Sequence, residues 1–257
     1  MVVHQIAGRL CLLVPAALLA GCSSSDAGGT PHHWGWFIFD PLQDKGWSNL
    51  RFLIGGLGAT VVVSLCAVAL SVLLGGLVAL AGLSKRKLLQ YFNRGYVELF
   101  RSVPLLVLLL WVFYGLPVVL GLQLSVFATG VLALALSDSA FEAEVFRAGI
   151  QSVAKGQIEA AKSIGLPWVL QMRLVVLPQA IKVILPALGN QFIYVLKMSS
   201  LVSVIGLEEL TRRANELNVS EYRPLEIYTL LVVEYLALIV LVSWLVRRLE
   251  KKMAVAL

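Results

Sequence analysis

Apolar residues occur along this chain in long runs that short polar stretches separate. A transmembrane helix needs roughly 20 mainly apolar residues to cross a hydrocarbon layer about 30 Å thick. Runs of that length predict such helices at residues 52–84, 103–122, 124–146, 179–206 and 225–246. The pattern therefore predicts an all-α polytopic membrane protein with five core transmembrane helices.

Basic residues at the ends of these runs set the predicted orientation. Residues 85–87 are all basic and follow the first run, and the arginines 247–248 follow the last. Loops on the cytoplasmic side of a membrane carry an excess of Lys and Arg. We therefore expect the basic ends of the first and last runs to lie in the cytoplasm. The long polar loop at 148–178 is expected there too. The polar stretch 211–223 is then external, the N-terminus is outside and the C-terminus is inside.

The composition excludes an ordinary soluble domain. The chain has 257 residues, of which 59% are hydrophobic and 14% are charged, and its mean hydropathy is +0.85. The formal charge of +6 does not indicate nucleic-acid binding, because the basic residues cluster beside the apolar runs. The cysteines and the adjacent His32 and His33 form no metal-ligand pattern, so we expect no metal site.

The N-terminal segment, residues 1–22, has its own pattern. It contains a basic residue, Arg9, then an apolar run, and it ends in the tetrapeptide Leu19-Ala20-Gly21-Cys22. This resembles a bacterial lipoprotein signal, in which Cys22 would be lipidated after cleavage. An uncleaved anchor helix and a misassigned start codon are the alternatives. Residues 23–50 are poor in aliphatic side chains and rich in Trp and Phe, which predicts a periplasmic segment with an interfacial aromatic belt.

The loop at 148–178 is the longest polar interruption of the chain. Residues 157–164 are good helix formers, and Gly165 follows at a position where glycine ends helices. Such a short helix is marginal by itself, so a partner protein that packs against it is implied. The small side chains of this helix allow close approach, and its charges lie at the edge. The residues that we expect to couple the helix to its partner are Glu159, Ala160, Ala161 and Gly165.

Short motifs follow one another in a set order along the predicted membrane domain, residues 51–250. They are Tyr96-Val97-Glu98-Leu99-Phe100-Arg101, Ala143-Glu144-Val145-Phe146-Arg147, Glu159-Ala160-Ala161, Leu177-Pro178-Gln179-Ala180, Gly189-Asn190 and Lys197 to Leu201. In this order they resemble the transmembrane permease subunit of type I ABC importers, in the branch that takes up polar amino acids. The chain departs from that pattern at Met198, where the family commonly has an acidic or amide residue.

The resemblance implies a subunit that forms half of a translocation pathway, with a second permease chain that is identical or paralogous. A dimer of separate ABC ATPases would bind the coupling helix and hydrolyse ATP with Mg, and a periplasmic solute-binding protein would deliver the substrate. The chain has no phosphate-binding P-loop of its own, since the nearest string, residues 149–156, has Ala154 in place of the second glycine. We therefore expect no enzyme activity, no cofactor bound by this chain, and a place in the bacterial inner membrane.

Ionisable residues near the middle of predicted membrane helices are the candidates for the substrate pathway. Such groups are costly in the membrane and indicate functional sites. A carboxylate could bind the ammonium of an amino acid, and a lysine or a hydroxyl could bind its carboxylate. Structural ion pairs across helices are the alternative. Glu142 lies one turn from Asp138, so this pair could attract a cationic side chain. The candidate residues are Asp138, Glu142, Asn190, Lys197, Ser199, Ser200 and Glu234.

Two other classes of function are compatible with a polytopic membrane protein. One is an ABC permease for a different small solute, such as an osmolyte. The other is a channel or a secondary transporter, which would work without an ATPase and would need no docking helix in a long cytoplasmic loop. Secondary transporters often show repeated halves, and no such repeat is visible in the sequence. Co-purification of an ATPase chain would distinguish these classes.

Overall fold

A computed structural model describes residues 34–256 of the chain, with side chains through residue 251. All regular secondary structure in that part of the chain is helical. The predicted lipidation site, Cys22, and the segment 1–22 that ends with it lie outside the described residues. The same holds for residues 23–33 of the predicted aromatic segment.

The helices follow one another with short connections. They are α1 (Asp44–Ile54), α2 (Leu57–Leu83), α3 (Lys87–Ser102), α4 (Leu105–Leu110), α5 (Leu116–Leu120), α6 (Val126–Gln151), α7 (Lys155–Ser163), α8 (Trp168–Gln171), α9 (Leu177–Met198), α10 (Leu210–Glu221) and α11 (Pro224–Ala256). Two π-helical segments, Trp111–Gly115 and Met172–Val176, join α4 to α5 and α8 to α9. A 3-10 helix precedes α1 at Trp36–Phe39, and another follows α9 at Ser199–Ile205.

Four helical segments in the described part of the chain are long and apolar enough to cross a membrane. They are Asp44–Leu83, Val126–Gln151, Trp168–Ile205 and Pro224–Lys251. A fifth span results if the bent pair Lys87–Ser102 and Leu105–Leu120 is one broken span, with an angle of 99° between its two limbs. The predicted helices at 52–84, 124–146, 179–206 and 225–246 each coincide with one of the four, and that at 103–122 with the second limb of the bent pair.

The bend between α3 and α4 lies at Val103 and Pro104. Proline has no backbone N–H and disfavours the α conformation in the residue before it. Val103 accordingly has an extended backbone, with φ −84° and ψ 124°. The sequence pattern does not predict α3, because its apolar residues are spaced along one face of a helix and do not form a continuous run.

Helices α2 and α6 pack side by side and run in the same direction. Ser71 of α2 contacts Asp138 of α6, and one turn further along, Gly75 faces Ser139 and Glu142. A Cβ atom at Gly75 would lie 2.9 Å from the Cβ atom of Glu142 and 2.9 Å from the carbonyl oxygen of Ser139. Small residues allow membrane helices to approach this closely. Such close packing is needed because the surrounding lipid is as apolar as the helices, so no hydrophobic effect drives them together.

Helix α9 runs antiparallel to α6. Ile184, early in α9, packs at Gly149 near the end of α6, whereas Gln191, about two turns later, contacts Asp138 in the middle of α6. The three helices α2, α6 and α9 therefore meet around Asp138.

Helix α11 lies antiparallel along the other side of α9. Gly189 of α9 approaches Val246 of α11 closely, and Ser200, beyond the end of α9, shares a small cavity with Tyr235. Helix α9 contains Pro186 and Gly189, two residue types that often break or kink a helix. Helix α9 continues through both residues, because membrane helices accommodate a proline by local adjustment and Gly189 provides room for α11.

These directions place the C-terminal ends of α2, α6 and α11 at one end of the bundle. The basic residues 85–87 and 247–248 lie at these ends, and α7 and α8 of the long loop connect α6 to α9 there. We call this the basic end. Helix α1 precedes α2, and α10 connects the end of α9 to the start of α11, so both lie at the opposite end, which we call the far end.

Candidate functional site

The predicted coupling helix is present as α7, at Lys155–Ser163. Gly165 follows it with φ +76°, a left-handed conformation that glycine adopts without strain. The amide of Gly165 donates to the carbonyl of Lys162 at 2.9 Å, and the amide of Leu166 donates to the carbonyl of Ala161 at 3.1 Å. These bonds satisfy the last carbonyl groups of α7 and confirm that Gly165 is where the helix ends.

The surface around α7 is exposed and partly apolar. Glu159 and Ala160 are exposed, and so are Ile164, Trp168 and Val169 from the turn and helix that follow. We call these five residues the docking surface. Large exposed apolar groups rimmed by charges are typical of a contact with another protein or with a membrane. The sequence pattern did not single out the last three residues of this surface.

Ala161 has a different place from the one we expected. Its side chain is 4% exposed, so it packs against the rest of the chain and does not face a partner. Ile158 and Ala161 are on the inner face of α7, whereas Ile164, three residues further along, is 76% exposed.

The acidic pair Asp138 and Glu142 lies inside the helix bundle. Both side chains are buried. The carboxylate of Asp138 accepts hydrogen bonds from the Ser71 hydroxyl, at 2.7 Å, and from the side-chain amide of Gln191. Neither carboxyl oxygen of Glu142 has a hydrogen bond of standard geometry, although the group lies beside Ser71 and Asp138. Asp138 therefore has hydrogen-bond donors on two other helices, whereas Glu142 has none of standard geometry.

No basic residue in the described part of the chain forms a salt bridge with Asp138, Glu142 or Glu234. Among residues 34–251, therefore, no ion pair of these acids with Lys197 supports the alternative of structural ion pairs across helices. Two buried carboxyl groups one turn apart repel each other when both are ionised. Such a pair is stabilised by a proton or by a cation that enters from outside the chain.

Lys197 lies away from the acidic pair. Its side chain is exposed and lines a surface cavity of about 180 Å³ together with Ser200, Tyr235 and Ile239. Asn190 is exposed on the same helix. Asp138 and Glu142 therefore lie inside the bundle, whereas Asn190 and Lys197 lie on an outer face of α9.

The two serines after α9 use their hydroxyl groups locally. Ser199 donates to the carbonyl of Leu196 and Ser200 donates to the carbonyl of Lys197, both at 2.8 Å. Their oxygen atoms retain lone pairs that can accept a hydrogen bond. Ser199 is buried, so of the two only Ser200 is partly accessible from the cavity beside Lys197.

Glu234 lies alone on α11. Its side chain is half-buried, and both carboxyl oxygens are buried without a hydrogen-bond partner among the described residues. Residues 34–256 contain no group of three His, Cys, Asp or Glu side chains that could hold a metal ion. Glu234 is therefore a single acidic group at membrane depth, separate from the Asp138–Glu142 pair.

A buried polar network at the far end was not predicted from the sequence. Glu209 caps α10 by accepting from the amide of Arg212 at 2.8 Å, and it also accepts from the hydroxyl of Tyr235 at 2.8 Å. The hydroxyl of Thr60 lies 3.5 Å from the same carboxylate and accepts from the amide of Leu210 at 3.2 Å. The network joins α2, α10 and α11. The only sign in the sequence is a threonine near the start of an apolar run.

Comparison with known protein families gives a direct match. The sequence model of the family described as binding-protein-dependent transport system inner membrane component matches residues 71–255. Relatives include the putative glutamine transport system permease protein GlnP of Rickettsia typhi, which is 36% identical over 82% of this chain and 97% of its own length. The probable glutamine ABC transporter permease protein GlnM of Bacillus subtilis is 39% identical over 80% of this chain and 94% of its own. The arginine transport system permease protein ArtQ of the same organism is 34% identical over the same shares.

Solved structures have the same architecture. A chain from the crystal structure of an amino acid ABC transporter with histidines superimposes with a TM-score of 0.75 and is 41% identical, with 80% of this chain and 96% of that chain covered. A chain of the MetNI methionine ABC transporter in an inward-facing conformation gives a TM-score of 0.69 at 19% identity, with 79% and 97% covered. The second likeness concerns the fold alone.

Proposed function

This chain belongs to the family of inner-membrane components of binding-protein-dependent transport systems, and from that premise we propose that it is the permease subunit of an ATP-driven importer of polar amino acids. It is a multi-pass transport subunit of the inner membrane. The observation that carries the amino-acid assignment is the similarity, over nearly their whole length, to permeases named for glutamine and arginine and to a solved amino acid ABC transporter.

The proposed ATPase partner binds the docking surface. Motion of α7 would carry ATP-driven closure of the two ATPases into the membrane helices. ATP and Mg belong to that partner, since the chain has no P-loop. Support comes from the exposure of Ile164, Trp168 and Val169 beside a helix of only nine residues, which is marginal by itself.

The proposed orientation places the basic end in the cytoplasm and the far end in the periplasm. It rests on the cluster of basic residues at 85–87 and 247–248 beside the docking surface. Single cysteines introduced at Lys87 and at Asn218 would test it with a membrane-impermeant thiol reagent on intact cells. We expect labelling at 218 and not at 87, and the reverse labelling would overturn the orientation.

A second permease subunit, identical or paralogous, completes the proposed pathway. Asn190, Lys197 and Ser200 lie on an outer face of α9 and α11 in the single chain. A second subunit opposite that face would enclose them. The lysine could then bind the carboxylate of an amino acid, as the sequence led us to expect, while the pathway remained closed to lipid.

The acidic pair is the proposed site for the positive charge of the substrate. Asp138 and Glu142 lie where α2, α6 and α9 meet, and no basic residue of the described chain neutralises them. Separation of these helices during the transport cycle would expose the pair to an ammonium or a cationic side chain.

The experiment that tests the proposed function is ATPase stimulation in the reconstituted transporter. We expect the ATPase chain to purify with the permease, and its activity to rise when the cognate binding protein is loaded with a polar amino acid. An osmolyte panel serves as the control. Stimulation by an osmolyte and by no amino acid would replace this function with that of a permease for a different solute.

A further inference from the structure

A groove of about 720 Å³ opens between α1 and α10 at the far end of the bundle. Its walls include Trp47, Arg51, Phe52 and Ile54 of α1 and Arg213 of α10. The groove adjoins the start of the uncharged run that includes α2, and we therefore place it at the level of the membrane–water interface. Trp47, Phe52 and Ile54 are exposed in the groove, and aromatic side chains at this level typically contact lipid headgroups.

The chain holds Arg213 in place at the wall of this groove. Its guanidinium lies 5.1 Å from the centre of the Phe52 ring, and Nη1 donates to the Phe52 carbonyl at 3.0 Å. A Cβ atom at Gly55 would lie 2.5 Å from Nη1, so a glycine there makes room for the arginine. The Nε atom of Arg213 is buried and has no hydrogen-bond partner among the described residues.

Positive charge in the groove exceeds the negative charge near it. The only carboxylate that pairs with either arginine in the described chain is Glu208, whose oxygen is 3.5 Å from Nη2 of Arg213 and whose side chain is 70% exposed. Arg51 is exposed and makes no ion pair with the described residues. Exposed ion pairs at such distances contribute little, so two guanidinium groups face an apolar cavity nearly uncompensated.

We propose that this groove binds an anionic phospholipid, with its phosphate between Arg51 and Arg213 and its acyl chains along the apolar surface of α1 and α2. Guanidinium groups bind phosphate oxygens bidentately. The mostly apolar walls fit the glycerol and the first methylene groups, whereas an acidic protein surface would leave Trp47 and Ile54 opposite charged groups. The lipid would fix the angle at which α1 and α10 meet at the periplasmic mouth.

Native mass spectrometry of the complete transporter in detergent tests the proposal, with phosphatidylglycerol and phosphatidylcholine as probes. We expect preferential retention of phosphatidylglycerol, and about fivefold weaker retention for each of Arg51→Gln and Arg213→Gln. Arg212→Gln is the matched control, because Arg212 is the next residue along and its Nε binds Glu216 at 2.7 Å. This control should retain the lipid as the wild type does.

Other results would overturn the proposal. Arg213→Gln also removes the bond to Phe52, so Arg51→Gln, which breaks no hydrogen bond or ion pair among the described residues, is the decisive variant. Equal retention of both lipids, or unchanged retention in Arg51→Gln, contradicts a headgroup site. Displacement of the lipid by millimolar inorganic phosphate would indicate a site for a free anion. Weaker capture of the binding protein by Arg51→Gln with unchanged lipid retention would assign the groove to a protein contact.

Discussion

Glu142 follows Asp138 by one turn of α6, and both carboxyl groups are buried between α2 and α9 without a basic partner in the described chain. Ser71 and Gln191 each donate a hydrogen bond to Asp138, whereas Glu142 has no hydrogen bond of standard geometry. Unpaired buried acids are destabilising, and under the proposed function the positive charge of the substrate compensates this pair.

Neutralising the acidic pair should impair transport and leave assembly intact. In Asp138→Asn and Glu142→Gln we expect substrate-stimulated ATPase activity to fall about tenfold or more, because a hydrogen bond to a charged group contributes about 1.5–3 kcal/mol. The measurement is ATPase activity with substrate-loaded binding protein in vesicles.

The control for this pair is Glu216→Gln, which removes a partly exposed carboxylate paired with Arg212 on α10. It should behave as the wild type does. Full stimulation in both Asp138→Asn and Glu142→Gln would show that the acidic pair belongs to helix packing and does not bind the substrate.

The contact between α2 and α6 should not tolerate a methyl group at Gly75. In Gly75→Ala the new Cβ would lie 2.9 Å from the Ser139 carbonyl oxygen and from the Glu142 Cβ, and overpacking of this kind costs about 1–3 kcal/mol. We expect a lower midpoint of thermal unfolding in detergent. Gly58→Ala is the matched control on α2, since nothing lies within 4 Å of its Cβ position, and it should not lower the midpoint.

The docking surface should lose its partner when its largest apolar side chain is removed. Trp168 is 70% exposed at the basic end. If it is a central contact of the ATPase, Trp168→Ala costs about 2 kcal/mol, or about thirtyfold in affinity. Co-purification under stringent washing measures this loss. Trp111→Ala changes an exposed tryptophan outside the docking surface and should retain the ATPase. Equal loss in both variants would contradict a specific contact at Trp168.

Glu209 should make the far end less stable as the pH rises. Burial raises the pKa of Glu209 above its ordinary value of 4.5, despite hydrogen bonds from Arg212, Tyr235 and Thr211. An acid whose pKa is higher in the folded state binds its proton more tightly there. Its contribution to stability is therefore fully present below pH 4.5 and is lost as the pH rises through the folded pKa.

The neutral variant Glu209→Gln separates this titration from other pH effects. We expect its unfolding midpoint, relative to that of the wild type, to increase as the pH is raised from about 4 to about 8, a range that begins near the ordinary pKa of a glutamate. A constant difference over that range would show that Glu209 does not titrate between the two states.

Much of the fold could be predicted because membrane helices leave a strong pattern in the sequence. The long apolar runs predicted the membrane spans. The glycine after α7 predicted where that helix ends. Helix α3 and the bend at Pro104 leave weaker signals, since an amphipathic helix has no continuous apolar run. The path of α9 through Pro186 depends on its neighbours, which a local pattern does not contain.

The site was predictable in its residue types and not in its grouping. Asp138 and Glu142 stand out as acids in an apolar context, and their spacing places them on one face of a helix. Their separation from Lys197 depends on the rotation of α9 about its axis, which packing determines. The contacts of Ser71 and Gln191 with Asp138 likewise depend on how three helices pack together. No pattern within a single helix predicts them.

Uptake into reconstituted vesicles tests the central claim most directly. The permease, its ATPase and the cognate binding protein are reconstituted, and accumulation of labelled glutamine or arginine is measured with ATP inside, with and without the ATPase chain. The account predicts accumulation that requires both ATP and the ATPase and that Trp168→Ala reduces. Equal accumulation in vesicles that lack the ATPase would contradict it.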